Sequence, residues 1–181
     1  MGEIDMRRCV MAGAAVCWAL AAGVAPLASA RAEAGSATRA AADEPGLVGT
    51  WRLVRFEDTS GDGKVSYPFG EHPFGYFVYD PTGHLSVQIM RNPPVAPFAS
   101  SPATEAELRD ANAAYGAYFG TYRVDKARHV LHHIVEGSLN SRYAANPDQA
   151  RPYRLQGDVL VIELSDPKTG AHMYRELHRV K

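Results

Sequence analysis

The stretch Leu47–Glu57, Leu-Val-Gly-Thr-Trp-Arg-Leu-Val-Arg-Phe-Glu, decides the fold of this chain. The whole stretch is predicted to be the first β-strand. In its second half, Val54 and Phe56 lie on one face and Leu53, Arg55 and Glu57 lie on the other. A Gly/Asp-rich turn, residues 58–64, ends the strand. The chain therefore begins its folded part with a strand that is sharply stopped.

The rest of the domain repeats this pattern of short strands and tight turns. We predict further strands at Val65–Phe69, Gly75–Asp80, His84–Arg91, Ala117–Val124, His129–Leu139, Pro152–Gln156, Val159–Leu164 and Met173–Val180. One helix is predicted from the capping box Thr104-x-x-Glu107 to about Ala114, after a proline-rich loop at 92–102. Regular up-and-down spacing favours an all-β, eight- to nine-stranded antiparallel barrel with one helical insert over a sandwich.

The N-terminal 30 residues are typical of a cleaved export signal. Arg7 and Arg8 precede an apolar stretch that ends in the small-residue site Ala28-Ser29-Ala30. A membrane anchor is the alternative, but the stretch is weakly hydrophobic and contains Pro26. We expect cleavage, a disordered linker at 31–46, a folded domain at 47–181, and a periplasmic or secreted protein without stable membrane insertion.

Charge and cysteine content exclude several classes of function. The net charge is −1 and there is no basic block, so neither a nucleic acid nor an anionic membrane is an expected partner. Both cysteines, Cys9 and Cys17, lie in the predicted signal, so the mature chain would have no disulfide and no thiol nucleophile. We expect a monomer or dimer stabilised by its core alone.

Gly49-Thr50-Trp51 resembles the Gly-x-Trp motif that opens the first strand of lipocalins. In that family the tryptophan plugs the closed end of the barrel under a late arginine, which implies structural roles for Gly49, Trp51 and either Arg175 or Arg179. Residues 75–91, 115–122 and 154–160 also resemble the lipocalin-like domain of bacterial proteins. The resemblance covers nearly all of 47–181 and implies a calycin-type barrel. Lipocalins carry small apolar molecules, and some related barrels are isomerases or cyclases.

Candidate ligand-binding residues come from two observations. The strand at 84–91 has one face with Leu85, Val87 and Ile89 and another with polar or soft side chains, and either could line the lumen. Nine tyrosines would suit a flat ligand, although strands favour tyrosine anyway. The ligand-binding residues predicted from these patterns are Tyr67, Tyr76, Gln88, Met90, Tyr118 and Tyr122.

Acid–base and metal sites have weaker support. His129 and His133 lie about 13 Å apart along a strand and cannot chelate one ion alone, so a metal would need His84 or His172 from other strands. No metal or cofactor is predicted. The carboxylates of Glu136 and Glu163 are expected to point outward, and there is neither a Gly-x-Ser-x-Gly elbow nor a phosphate loop.

The sequence favours a binding protein that holds a small apolar or aromatic molecule in the lumen. The alternative is a small isomerase, cyclase or hydratase with an inward Glu136, Glu163, His132 or His133, and a third possibility is an interaction module without a pocket. If Trp51 closes one end, the site belongs at the opposite mouth, with residues 92–102 and the helix after them as a lid.

Overall fold

The computed structural model describes residues 44–181, so the predicted signal at 1–30 and residues 31–43 of the predicted linker lie outside the described residues. The elements are β1 Gly49–Thr59, β2 Val65–Ser66, β3 Phe74–Tyr79, β4 His84–Met90, α1 Glu105–Ala113, β5 Tyr115–Asp125, β6 Val130–Ser138, α2 Arg142–Ala145, β7 Asp148–Gln156, β8 Val159–Ser165 and β9 His172–Arg179. Most strand and helix bounds lie within two residues of the predicted ones, but β2 ends three residues earlier and β7 begins four residues earlier than predicted. A short helix, α2, was not predicted.

Eight of the nine strands form a closed antiparallel up-and-down barrel. Strands β3 to β8 each pair with the next strand in chain order, and β1 pairs with both β3 and β9. Strand β2 adds two residues beside the end of β1. The prediction of a barrel is confirmed. Closure pairs the strands that would otherwise lie at the edges of the sheet, so few backbone N–H and C=O groups there lack a strand partner.

Trp51 closes one end of the barrel, here called the closed end. Its side chain is fully buried, and its indole nitrogen donates a hydrogen bond of 2.8 Å to the Leu47 carbonyl. The Arg179 guanidinium lies 4.2 Å from the Trp51 ring and donates to the Val48 and Gly46 carbonyls. Gly49 is required here, because its φ is +140° and a Cβ would approach the Arg179 Nη1 atom to 2.7 Å.

Of the two candidate arginines, Arg179 and not Arg175 covers the tryptophan. The reason is register: Trp51 lies opposite Arg179 across the β1–β9 pairing, whereas Arg175 lies opposite Phe56, further along the barrel. The strand register thus decides between the two candidate arginines in favour of Arg179.

A β-bulge in β1 corrects the predicted alternation of that strand. The register with β9 shifts between Leu53 and Arg55, so that Val54 is an extra residue on the outside. Because of this insertion Leu53 and Phe56 both face the core, although they were predicted on opposite faces.

The long connections gather at the other end of the barrel, here called the mouth. They are residues 60–73, 91–114 with α1, 139–147 with α2, and 166–171. The capping box of α1 is present as predicted, and the helix is tied to β4 by a bidentate pair between Arg91 and Asp110, but none of its side chains is buried. Within residues 44–181, no helix has the length and apolar character needed to span a membrane.

Replacing Arg179 with methionine should destabilise the protein by about 2–3 kcal/mol, because it removes a cation–π contact and charge-assisted bonds to carbonyls. The free energy of unfolding would be measured by urea titration followed by circular dichroism. Arg128→Met is the control, since that side chain is 82% exposed in a turn and should cost less than about 0.5 kcal/mol. An equal loss in both variants would show that Arg179 does not seal the barrel.

Candidate functional site

A cavity of about 100 Å³ lies inside the barrel, in the half nearer the mouth. One part of its lining is apolar, and the other part carries phenol hydroxyls and guanidinium groups. The lining residues are Phe56, Phe77, Ile89, Ile162 and Met173 for the apolar part, and Tyr118, Tyr143, Arg151 and Arg175 for the polar part. Such a mixture of apolar walls and a few convergent polar groups is typical of small-molecule sites.

A hydrogen-bonded chain of three side chains runs below the cavity. His133 is fully buried, its Nε2 atom lies 2.9 Å from the Tyr79 hydroxyl, and its Nδ1 atom lies 2.9 Å from the Tyr118 hydroxyl. A neutral imidazole donates from one nitrogen and accepts at the other, so both hydroxyls can be satisfied at once. The chain fixes Tyr118 in the cavity wall.

Burial sets the protonation state of this chain. Desolvation, followed by the positive charge of Arg151, lowers the pKa of His133 from 6.5 to about 3. Burial also raises the pKa of Tyr118 and of Tyr79 well above the ordinary value for a phenol. The histidine is therefore neutral and both phenols are protonated around neutral pH.

Arg175 forms the opposite wall of the cavity and is almost fully buried. Its guanidinium lies 3.3 Å from the centre of the Phe56 ring, donates to the Glu57 carbonyl, and pairs with Asp58 at 2.6 Å. Desolvation lowers the pKa of Arg175 while the Asp58 carboxylate opposes that shift, and a guanidinium remains charged in any case. The positive charge of Arg175 is thus matched by its own counter-ion.

The structure places two of the six predicted ligand-binding residues inside the barrel. Tyr118 lines the cavity, whereas Tyr122 lies deeper and its hydroxyl donates a 2.9 Å bond to the Asp80 carbonyl. The other four, Tyr67, Tyr76, Gln88 and Met90, lie on the outer surface. Strand alternation gives the reason for three of them, because the inward positions of β3 and β4 are held by Phe77, Tyr79, Leu85, Val87 and Ile89.

Two cavity residues, Arg151 and Tyr143, were missed by the sequence reasoning. Arg151 precedes the predicted start of its strand at Pro152, but β7 begins at Asp148, which turns Arg151 inward with Tyr153. The sequence did contain a cue. Arg151 lies two residues before the buried Tyr153, and side chains two residues apart on a strand lie on the same face. Tyr143 lies on α2 and packs edge-on to Tyr118, with ring centres 5.3 Å apart.

The other candidate acid–base residues lie outside the lumen. His132 pairs with Asp148 on the outer surface, and Glu163 pairs with His172 and Arg154. Glu136 is exposed, as expected. Within residues 44–181, no group of three or more His, Cys, Asp or Glu side chains is arranged to hold a metal ion.

The predicted lid also differs from the structure. The cavity is bordered at the mouth by Tyr143 of α2, and no lining residue comes from the proline-rich loop or from α1. A larger depression of about 390 Å³ lies on the outer wall beside Phe119, which is 58% exposed, but it is open to solvent along one side. We take the lumen as the candidate site because buried polar groups of the described residues converge there.

One comparison with known proteins identifies a family. A family model described as a lipocalin-like domain matches residues 48–178. A solved structure described as a redesigned beta barrel is 14% identical and covers 79% of this chain and 96% of its own, with a TM-score of 0.39. No curated protein gives a significant match.

The buried histidine predicts a pH-dependent stability. Between pH 6.5 and about 3 an unfolded chain binds a proton at this imidazole and the folded barrel does not, so its contribution to stability is present above pH 6.5 and is lost as the pH falls. From pH 7 to pH 5 the loss should be about 2 kcal/mol. The stability advantage of wild type over His133→Gln, measured by urea unfolding, should shrink by that amount.

His84→Gln is the matched control for this measurement, because His84 is exposed on the outer surface. Titrating carboxylates are common to all the variants and cancel in the differences. If the advantage over His133→Gln is the same at pH 7 and pH 5, the histidine is not held neutral by burial.

Proposed function

We propose that this chain, which belongs to the lipocalin-like domain family, binds a small molecule with an apolar or aromatic body inside its barrel. The observation that supports this is the mixed lining of the cavity near the mouth, where an apolar floor meets fixed polar side chains. The polar groups would orient the ligand, while burial of its apolar part would supply most of the affinity.

The volume of the cavity limits the size of the ligand. Drug-sized ligands occupy sites of about 300–1,000 Å³, and a dry cavity of about 150 Å³ can hold benzene. A cavity of about 100 Å³ is smaller than this, so it suits a short chain, and a single ring would also need space at the mouth beside Tyr143. Larger ligands would require α2 to move away from the mouth.

An enzyme on the same scaffold is the second candidate function, and the contact between Tyr118 and His133 is the observation that favours it. A general acid or base works best when its pKa lies near the working pH. The pKa of His133 is lowered to about 3 and that of Tyr118 is raised, so neither group exchanges a proton readily near neutral pH. The pair is better suited to fixing the cavity wall than to proton transfer.

The binding proposal is tested with benzyl alcohol, a neutral single-ring probe. Titration followed by amide chemical shifts should show saturable changes at residues of the lumen, with the outer strand faces unchanged. Ile162→Trp should fill the cavity and abolish these changes, because Ile162 is buried in its wall. Gln88→Trp adds the same bulk to the outer face and should leave binding intact.

Two outcomes would contradict the proposal. One is that benzyl alcohol produces no saturable shifts in the wild-type protein. The other is that Gln88→Trp weakens binding as strongly as Ile162→Trp, which would place the probe on the outer wall. Mass spectrometry of small molecules that co-purify with the protein would then be the route to its natural ligand.

We also propose that the protein is exported and that residues 1–30 are removed. This rests on the paired arginines, the apolar stretch and the small-residue site Ala28-Ser29-Ala30. Intact-mass measurement of the protein from a cell-envelope or culture fraction should give a chain that begins near Arg31. A full-length chain retained in the membrane fraction would contradict cleavage.

A further inference from the structure

We propose that the lumen selects ligands with one carboxylate group and that Arg151 is the residue that recognises it. This inference rests on the lumen-binding function proposed above and names the class of ligand. It starts from charge: the cavity contains two guanidinium groups, but the structure supplies a counter-ion for only one of them.

Within residues 44–181, Arg151 is the cavity cation that no carboxylate pairs with. It lies in β7 opposite fully buried Leu131, which turns its side chain inward, and it lines the cavity. Its guanidinium donates 3.1 Å bonds to the Ala150 carbonyl and the Gln149 amide oxygen. Among residues 44–181 no carboxylate forms an ion pair with it, whereas Arg175 is paired with Asp58.

The charge of the site is therefore about one positive unit, from Arg151 and Arg175 against Asp58. The field of Arg151 acts on the lumen, since it contributes to the low pKa of His133. A monoanion would balance this charge, while a dianion such as phosphate would leave a negative charge in a poorly solvated site. A guanidinium matches the two oxygens of a carboxylate in one plane.

A second donor, the phenol of Tyr143, lines the same cavity as Arg151. The Tyr143 hydroxyl forms no hydrogen bond with any residue in the described part of the chain, and its ring packs against Tyr118. The apolar wall continues below these polar groups through Ile89, Phe77 and Ile162. A carboxylate at the mouth with its apolar body directed inward satisfies both halves of the site.

Phenylacetate and phenylacetamide test this inference, because they share one ring and one shape and differ in charge. Wild-type protein should bind phenylacetate at least about tenfold more tightly than phenylacetamide, since a charge-assisted pair is stronger than a neutral hydrogen bond. Arg151→Gln should reduce this preference to less than about twofold. Both dissociation constants would be measured by calorimetry or chemical-shift titration.

Arg154→Gln is the matched control. Arg154 belongs to the same strand, but it points outward and pairs with Glu163, so its loss should leave the preference unchanged. Arg151→Lys keeps the charge without the planar fork and should retain part of the preference. If Arg151→Gln does not fold, the preference measured for Arg151→Lys still tests the role of the guanidinium.

Three outcomes would overturn the inference. If wild type binds phenylacetate and phenylacetamide equally, the lumen binds ligands but does not select carboxylates. If Arg154→Gln removes the preference as fully as Arg151→Gln, the selection comes from general surface charge. If neither compound binds and benzyl alcohol also fails, the proposed binding function fails with it.

Discussion

Strand β1 pairs with two other barrel strands at once, and closure of the barrel depends on that double pairing. Residues 49–52 pair with β3 and residues 51–59 pair with β9, so β1 joins the two ends of the sheet. At the start of β1, Trp51 fills the core and Arg179 of β9 covers the tryptophan ring. The closed end is thus sealed by residues that are far apart in sequence and adjacent only after closure.

The bulge at Val54 links this closure to the cavity. One extra residue within the β1–β9 pairing, between Leu53 and Arg55, turns Phe56 inward beneath Arg175 at the wall of the cavity. Without the insertion, a period of two would turn Arg55 and Glu57 inward at this level, and both are charged. The same local irregularity therefore completes the core and supplies one wall of the candidate site.

The fold could be predicted from sequence because alternation is strong where side chains pack on apolar neighbours, as at Leu85, Val87 and Ile89. The site was harder to predict, because a lumen that holds polar side chains breaks the alternation by which strands are recognised. Residues 148–151 are Asp-Gln-Ala-Arg and are typical of a loop in isolation, yet Gln149 and Arg151 face inward with Tyr153. Positions where the local sequence pattern disagrees with the observed structure are often functional sites.

The positions of the two ends of the described domain carry a consequence for how it would be presented. Glu44 bonds to Tyr153 and Lys181 pairs with Asp158, and both contacts lie at the end that Trp51 plugs. Glu44 and Lys181, the two ends of the described segment, therefore lie on the side of the barrel away from Tyr143, Arg151 and Arg175. A domain attached through either residue to a surface or to a fusion partner would hold its candidate cavity facing away from the point of attachment.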